Sequence, residues 1–321
     1  MEIFFLTLQQ MLMMFSLIMV GFFLRKKEIL PSNSDSTMAK LEMWVFVPAL
    51  SLFTQMTKCN VDSFKENLDL ILIGLIISAI GVLLAYPLSK LFMPKPRDDQ
   101  EAYSRNVYKY AMAFGNYGFM GNFIILGVWG TDMYFKYSLF CFCIGIICAA
   151  WGLCILIPSE HNVSVWKNIT KGIFTPAVLF LLAGIVLGLL NVKQYVPQFI
   201  LTALDNAGAC QGPVAMVLAG FVIGGYNLKE ILLNKKVYLA ALVRLILIPA
   251  VFMLALKAIG VSGDLLILAL IFLSTPLGLN TIVYPAAYGG ETKTGASMVM
   301  ISHTLSVITI PLMYLLFIEI L

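Results

Sequence analysis

The chain alternates between long apolar stretches and short polar connections. A helix needs about 20 mainly apolar residues to cross a bilayer, and eight uncharged stretches reach that length. They are Ile3–Leu24, Leu70–Ser89, Tyr110–Thr131, Tyr137–Ser159, Gly172–Val192, Asn206–Leu228, Leu265–Gly290 and Thr294–Ile318. Two weaker stretches complete ten predicted spans, numbered 1 to 10 in chain order. They are Met43–Thr57, which extends back through Glu42 to about Met38, and Val237–Leu256 with Arg244 inside.

Lysine and arginine are unevenly distributed between the predicted connections. If the N-terminus lies outside, the connections after spans 1, 3, 5, 7 and 9 hold 15 of the 21 basic residues, and the opposite side holds 5. Arg244, inside span 8, is the remaining one. Because cytoplasmic loops of membrane proteins collect Lys and Arg, we expect both termini to be extracytoplasmic. We expect a multi-pass protein of the cell (plasma) membrane.

The composition agrees with a chain whose surface faces lipid. Hydrophobic residues make up 60% of the 321 residues and charged residues only 12%, whereas a soluble domain carries about 25% charged residues. The net charge of +4 gives no indication of nucleic-acid binding. Six cysteines without a C-x-x-C spacing indicate neither a disulfide framework nor a zinc site. We therefore expect the lipid bilayer as the surrounding medium, and no cofactor or bound metal.

The ten predicted spans divide into two sets of five. An odd number of spans per half inserts the two halves in opposite orientations, as in many transporters. The predicted fold is an all-α integral membrane protein of ten transmembrane helices in two inverted five-helix repeats, 1–157 and 172–321, joined by a cytoplasmic connection, 158–171. Pro48 in span 2 and Pro213 in span 7 stand in matching places and are predicted helix breaks.

Spans 4 and 9 each carry glycine and asparagine near the middle, at 115–122 and 274–281, and span 9 also carries Pro276 there. Glycine and proline weaken the helical hydrogen-bond ladder, and freed backbone groups in a membrane must be buried in protein or line a polar cavity. We therefore predict two broken helices that meet, whose half-helix N-termini favour an anion. The alternative is close helix packing through the glycines. The predicted substrate-binding residues are Asn116, Gly118, Gly121, Asn122, Pro276, Asn280 and Thr281.

Several short motifs in a fixed order carry a family resemblance. They are Phe22–Lys27 in and after span 1, Val47–Leu50 in span 2, Gly115–Gly121 in span 4, Pro276–Asn280 and Tyr288–Glu291 in and after span 9, and Ser306–Leu312 in span 10. Over nearly its whole length the chain resembles the auxin efflux carrier (AEC) family of secondary transporters, which is similar in fold to bile acid–sodium symporters. The resemblance implies that spans 4 and 9 cross at the substrate site and that one bundle moves against a scaffold. It also implies organic anions such as auxin or dicarboxylates like malate as substrates.

One position departs from the family pattern. After Gly121 the family usually has an apolar residue and then proline, whereas this chain has Asn122 and Phe123. We therefore expect the break in span 4 to depend on Gly115, Gly118 and Gly121. We also expect substrate choice to differ from that of relatives with the proline.

Three ionisable residues inside spans are candidates for coupling or gating, because such groups are costly in a membrane. Asp205 in span 7 could bind a cation or a proton, or could lie at a helix end. Arg244 in span 8 could contact substrate, or could reach the interface with its long stem. His303 in span 10 could carry a coupling proton, or could bond as a neutral ring to nearby hydroxyls. Glu42 is expected to pair with Lys40 or to cap its helix.

The function predicted from these features is secondary active transport of a small organic anion, such as a carboxylate, by alternating access. The sequence leaves open the coupling ion, H⁺ or Na⁺, and the oligomeric state, including a homodimer. A sodium-coupled symporter of the bile-acid type is one alternative. An intramembrane enzyme acting on a lipid or prenyl substrate is another, but the one adjacent acidic pair, Asp98-Asp99, lies in a polar loop among basic residues. A channel or receptor is a third class, for which the sequence contains no pore ring or extramembrane domain, so we expect a carrier and not an enzyme.

Overall fold

Most of the structure is helical; it is a computed structural model that describes residues 2–156, 170, 174–287 and 291–321. Within those residues there is no β-strand, and one isolated antiparallel bridge joins Gly115 to Leu277. The α-helices in chain order are α1 (Glu2–Lys26), α2 (Ser34–Leu41), α3 (Val47–Lys58), α4 (Val61–Glu66), α5 (Leu68–Phe92), α6 (Asp99–Ala113), α7 (Asn122–Phe140), α8 (Phe142–Leu156), α9 (Pro176–Leu189), α10 (Gln198–Ala209), α11 (Gln211–Gly224), α12 (Leu228–Leu232), α13 (Lys235–Leu242), α14 (Ile248–Ala258), α15 (Asp264–Ser274), α16 (Asn280–Ala287) and α17 (Lys293–Tyr314).

Wider and tighter turns extend or join some of these helices. A 3-10 turn covers Val192–Tyr195, and π turns cover Glu42–Phe46, Tyr117–Gly121, Val243–Leu247 and Leu315–Ile320. The predicted cytoplasmic connection 158–171 lies outside the described residues, apart from residue 170, so the boundary between the predicted repeats stays a prediction.

Five helical stretches among the described residues are long and apolar enough to cross a membrane. They are Ile3–Lys26, Val61–Phe92, Gln198–Gly224, Lys235–Ala258 and Lys293–Ile320, and they overlap predicted spans 1, 3, 7, 8 and 10. A bent pair, Tyr117–Phe140 and Phe142–Leu156, adds a sixth if it is one span. Predicted spans 2, 4, 5, 6 and 9 consist of shorter helices. Helix length therefore supports five or six spans, and the ten-span inverted repeat remains a prediction.

Gly130 divides α7 into two parts. Its backbone angles, φ 78° and ψ −170°, are open to glycine but strained for other residues. Predicted span 4 ends one residue later, at Thr131. We infer that the chain passes from span 4 to span 5 at this glycine, inside a stretch that otherwise reads as one helix.

The two prolines predicted to break spans 2 and 7 stand in the first turns of helices. Pro48 is the second residue of α3, directly after the π turn Glu42–Phe46. Pro213 is the third residue of α11, and only Cys210, with φ −71° and ψ −19°, separates α11 from α10. Pro48 lies in a continuous helix, since the Val47 N–H bonds the Glu42 carbonyl across the π turn. Each proline thus follows a local irregularity of its helix, and neither span is extended there as spans 4 and 9 are at the crossover.

Two helix pairs have the most extensive contacts among the described residues, α1 with α11 and α3 with α9. In each pair, glycines four residues apart bring two backbones together. Gly220 and Gly224 of α11 lie against carbonyl oxygens of α1. Gly184 and Gly188 of α9 lie against α3 in the same way. The pairs join span 1 to span 7 and span 6 to span 2, which are equivalent pairs in the predicted inverted repeat.

Gly220→Ala should destabilise the protein, because the added Cβ would overlap the carbonyl oxygen of Ile18. Overpacking of this kind costs about 1–3 kcal/mol, so the midpoint of thermal unfolding in detergent should fall. Gly81→Ala is the matched control, since its added Cβ would lie 3.6 Å from its nearest neighbour, the Ala113 carbonyl oxygen. Equal midpoints for the two variants would contradict a glycine-mediated contact between α1 and α11.

Candidate functional site

Two extended segments interrupt predicted spans 4 and 9 and lie side by side. After α6 and α15 the chain is non-helical over 114–116 and 275–279, and these two segments form the crossover. They run antiparallel, and the Asn116 N–H donates to the Pro276 carbonyl at 2.7 Å. Both predicted interruptions are therefore present, and they meet.

Neighbouring groups form hydrogen bonds with backbone N–H and C=O groups that have no helical partner at the interruptions. Gly115 allows the close approach, because a Cβ there would lie 2.6 Å from the Thr275 carbonyl oxygen. The Leu277 N–H donates to Ser302 Oγ of α17 at 3.0 Å. Lipid would offer no partner to such groups, so α17 and the opposite segment replace the missing helical bonds.

Arg244 lies between the C-terminal ends of α6 and α15, and only 1% of its surface is exposed. Its Nη1 donates to the Met112 and Ala113 carbonyls at 3.2 and 3.4 Å, and its Nη2 donates to the Phe272 carbonyl at 3.3 Å. Helix C-termini carry partial negative charge, so one cation offsets the ends of α6 and α15 together. The side chain thus points into the protein at the crossover and does not reach the membrane interface.

His303 of α17 is the side-chain partner of Asn116. The Asn116 amide nitrogen lies 3.1 Å from His303 Nε2, and His303 Nδ1 lies 2.8 Å from the Val299 carbonyl oxygen. A carbonyl only accepts hydrogen bonds, so Nδ1 carries the proton and Nε2 accepts from the amide. The ring is neutral with both nitrogens bonded, which favours a positioning role over proton transfer.

A cavity of about 260 Å³ adjoins the crossover. The structure brings four of the seven predicted substrate-binding residues to its wall: Asn116, Gly118, Asn122 and Asn280. The other three belong to the crossover or to the first turns after it and do not line the cavity: Gly121, Pro276 and Thr281.

Aromatic and small polar side chains form much of the remaining wall. The aromatic residues are Tyr117, Phe119, Tyr134, Phe142 and Tyr284, and the serines are Ser51 and Ser138. No Asp, Glu, Lys, Arg or His belongs to the wall in the described part of the chain. A charged ligand would therefore meet backbone and amide dipoles and would meet no charged side chain.

Asn122 at the start of α7 and Asn280 at the start of α16 differ in their hydrogen-bond partners. The Asn280 amide donates to the Tyr110 hydroxyl at 2.9 Å, and that hydroxyl lies 2.7 Å from Cys148 Sγ. The Asn122 side chain forms no hydrogen bond with another described residue, so it is the amide that a ligand could engage without competition. Sequence reasoning missed Tyr110 and Cys148, because no motif marks them and their meeting depends on the packing of three separate helices.

Asp205 is not part of this site. It is exposed on α10 and lines a surface hollow with Lys58, Thr131 and Lys193. The structure therefore brings Arg244 and His303 to the crossover but leaves Asp205 at the periphery.

A comparison with protein families gives the chain its place. A family model described as Membrane transport protein matches residues 6–314. The chain belongs to the auxin efflux carrier / membrane transport protein family. A search of curated proteins found no match. Membership makes the chain a membrane transport protein, in a family of transporters.

This family member forms its span 4 interruption without a proline after Gly121. The extended residues 114–116 lead into the π turn Tyr117–Gly121, and Asn122 then begins α7. Phe123, in the place of the expected proline, packs against Gly212 of α11, where a Cβ would overlap its ring. The interruption is held by its pairing with 275–279 and by Arg244, so a missing N–H is not required for it.

Arg244→Met should lower the stability of the protein, because three buried carbonyls would lose their charged donor. A hydrogen bond to a charged group contributes about 1.5–3 kcal/mol, so the thermal midpoint in detergent should fall clearly. The thermal midpoint of Arg244→Lys should lie between those of Arg244→Met and the unmodified protein, since lysine keeps the charge without the planar fork of donors. Arg97→Met, at an exposed loop position, is the control. Arg244→Met with the midpoint of the control would refute this role.

Proposed function

We propose that this membrane transport protein is a secondary carrier of a small organic anion, such as a carboxylate. It holds its substrate in the cavity beside the crossover and works by alternating access. The observation that carries the proposal is the meeting of two half-helix N-termini at one cavity. The π turn Tyr117–Gly121 and α16 begin at Tyr117 and Asn280, and both of these residues line it.

Those N-termini supply positive potential without a positive side chain. The first N–H groups of a helix have no partner within it and carry partial positive charge, which makes such ends sites for carboxylate or phosphate. The unbonded Asn122 amide adds a donor at the same wall. A single small anionic group fits this arrangement.

The rest of the wall suits the organic part of such a substrate. Tyr117, Phe119 and Tyr284 offer aromatic surface, and ligand pockets typically combine apolar walls with a few placed polar groups. A cavity of about 260 Å³ holds a small molecule and excludes a polymer. This supports a compact carboxylate with an apolar body over a sugar or a peptide.

The lining residues also suggest which side the cavity faces. Ala39 and Pro176 belong to the predicted cytoplasmic ends of spans 2 and 6. On the predicted opposite side, Lys58 pairs with Asp132 at 2.7 Å. With both termini outside and the protein in the plasma membrane, this conformation is the inward-facing state of the cycle. A homodimer remains a prediction, since the interior of one chain is sufficient to form the site.

A thermal-shift screen of carboxylates on detergent-purified protein, followed by counterflow in proteoliposomes, tests the carrier function. A stabilising carboxylate should exchange across the membrane without chemical change. Conversion of the ligand to a product would instead indicate an enzyme.

Asn122→Ala should weaken binding of the carboxylate found in that screen while leaving the fold intact, because the Asn122 side chain has no partner among the described residues to lose. A hydrogen bond to a charged group is worth about 1.5–3 kcal/mol, so the dissociation constant should rise by about 10- to 100-fold.

Asn280→Ala should abolish transport and also lower stability, since it removes a bond to Tyr110. Asn206→Ala, at an exposed position of α10, is the matched control. Unchanged affinity in Asn122→Ala would remove that residue from the site.

A further inference from the structure

Glu42 is the first residue of the π turn Glu42–Phe46, and 0% of its surface is exposed. Neither carboxyl oxygen has a hydrogen-bond partner, and no other described carboxyl is buried with both oxygens unpartnered. The expected pairing with Lys40 is absent, because Lys40 is exposed. π turns inside helices occur frequently at functional sites, so a buried acid at one calls for a role.

No charged neighbour offsets this carboxyl. Among the described residues, the π turn contacts α2, α3, α9, α10 and α11, and α9 and α11 carry no ionisable side chain. The ionisable residues on the other three helices and at their ends, none bonded to a Glu42 oxygen, are Asp35, Lys40, Lys58, Cys59, Asp205 and Cys210. An ionised carboxylate would therefore be buried without compensation, which strongly favours the neutral acid.

Glu42 lies beside residues of the proposed substrate cavity along the chain. Ala39 and Met43, three residues before and one residue after Glu42, both line that cavity. The acid is thus within one helical turn of the wall. A shift of the π turn against α11 would admit water to the carboxyl, and hydration would favour release of its proton.

We propose that Glu42 is a proton-binding site that couples movement of the anion to movement of a proton. Its carboxylate takes up one proton from water on one side and returns it on the other, and no further reactant is needed. The proposal rests on the carrier function proposed above. It places coupling on span 2 and not on His303 or Asp205.

Glu42→Gln tests the coupling, because glutamine imitates the protonated acid and cannot titrate. In proteoliposomes, an inward proton gradient should stimulate carboxylate uptake by the unmodified protein, and Glu42→Gln should reduce uptake to the level seen without a gradient. Counterflow at equal pH needs no net proton movement and should persist in the variant. Glu66→Gln, which removes an exposed acid of α4, should behave like the unmodified protein.

Two results would overturn the proposal. Glu42→Gln could still respond to the proton gradient, or a sodium gradient alone could drive uptake by the unmodified protein. If Glu42→Gln does not fold, absence of the protonated-carboxyl band described next, measured on the unmodified protein, still rejects the proposal.

Infrared difference spectroscopy tests the protonation without any transport assay. The detergent-purified protein near neutral pH should show a protonated-carboxyl stretching band that Glu42→Gln lacks and Glu66→Gln keeps. Absence of that band rejects the neutral acid whether or not a substrate is known. If the band is present but no carboxylate exchanges across the membrane, the carrier function fails, and the coupling fails with it.

Discussion

Backbone groups that leave a helix in the middle of a membrane have no water to bond, and this requirement organises the whole centre of the molecule. Spans 4 and 9 are both interrupted, and each supplies part of what the other lacks, through the bond from Asn116 to Pro276. Arg244 then donates hydrogen bonds to carbonyls at the C-terminal ends of α6 and α15. Three predicted spans, 4, 8 and 9, thereby depend on one another through buried polar contacts.

The same arrangement separates the two signs of potential. The C-terminal ends of α6 and α15 point at the Arg244 guanidinium, whose positive charge offsets their negative potential inside the protein. The N-terminal ends at Tyr117 and Asn280 point at an open cavity, so their positive potential remains available. The proposed anion site therefore needs no lysine or arginine, and none belongs to the wall among the described residues. Mobile charged side chains are also expensive to desolvate in each cycle, whereas fixed amides need no rearrangement.

The glycines and prolines of spans 4 and 9 were sufficient to predict the interruptions, because their effect on a helix is local. The contacts that hold the interruptions could not be predicted. Arg244 lies 132 residues from Met112 in the sequence, and that separation does not reveal that the two residues are in contact. At Pro48 and Pro213 the same local rules point to smaller irregularities, a π turn before Pro48 and a break at Cys210 before Pro213. Helix length alone supports five or six spans, and the interrupted segments of predicted spans 4 and 9 are shorter pieces that such a count leaves out. The auxin efflux carrier / membrane transport protein family was recognisable from ordered motifs, although its usual proline is absent.

Under alternating access, two rigid parts must separate somewhere, and the contacts of α3 indicate where. Against α9, α3 packs through Gly184 and Gly188, with backbones in contact and little that water could replace. Towards α7 its contacts include polar side-chain pairs, with Gln55 donating to Ser138 at 2.5 Å and Lys58 pairing with Asp132. Water can substitute for such polar partners at small net cost, but it cannot fill a close-packed glycine contact. The α3–α7 face is therefore the weaker boundary, and it adjoins the cavity on the helix that follows Glu42.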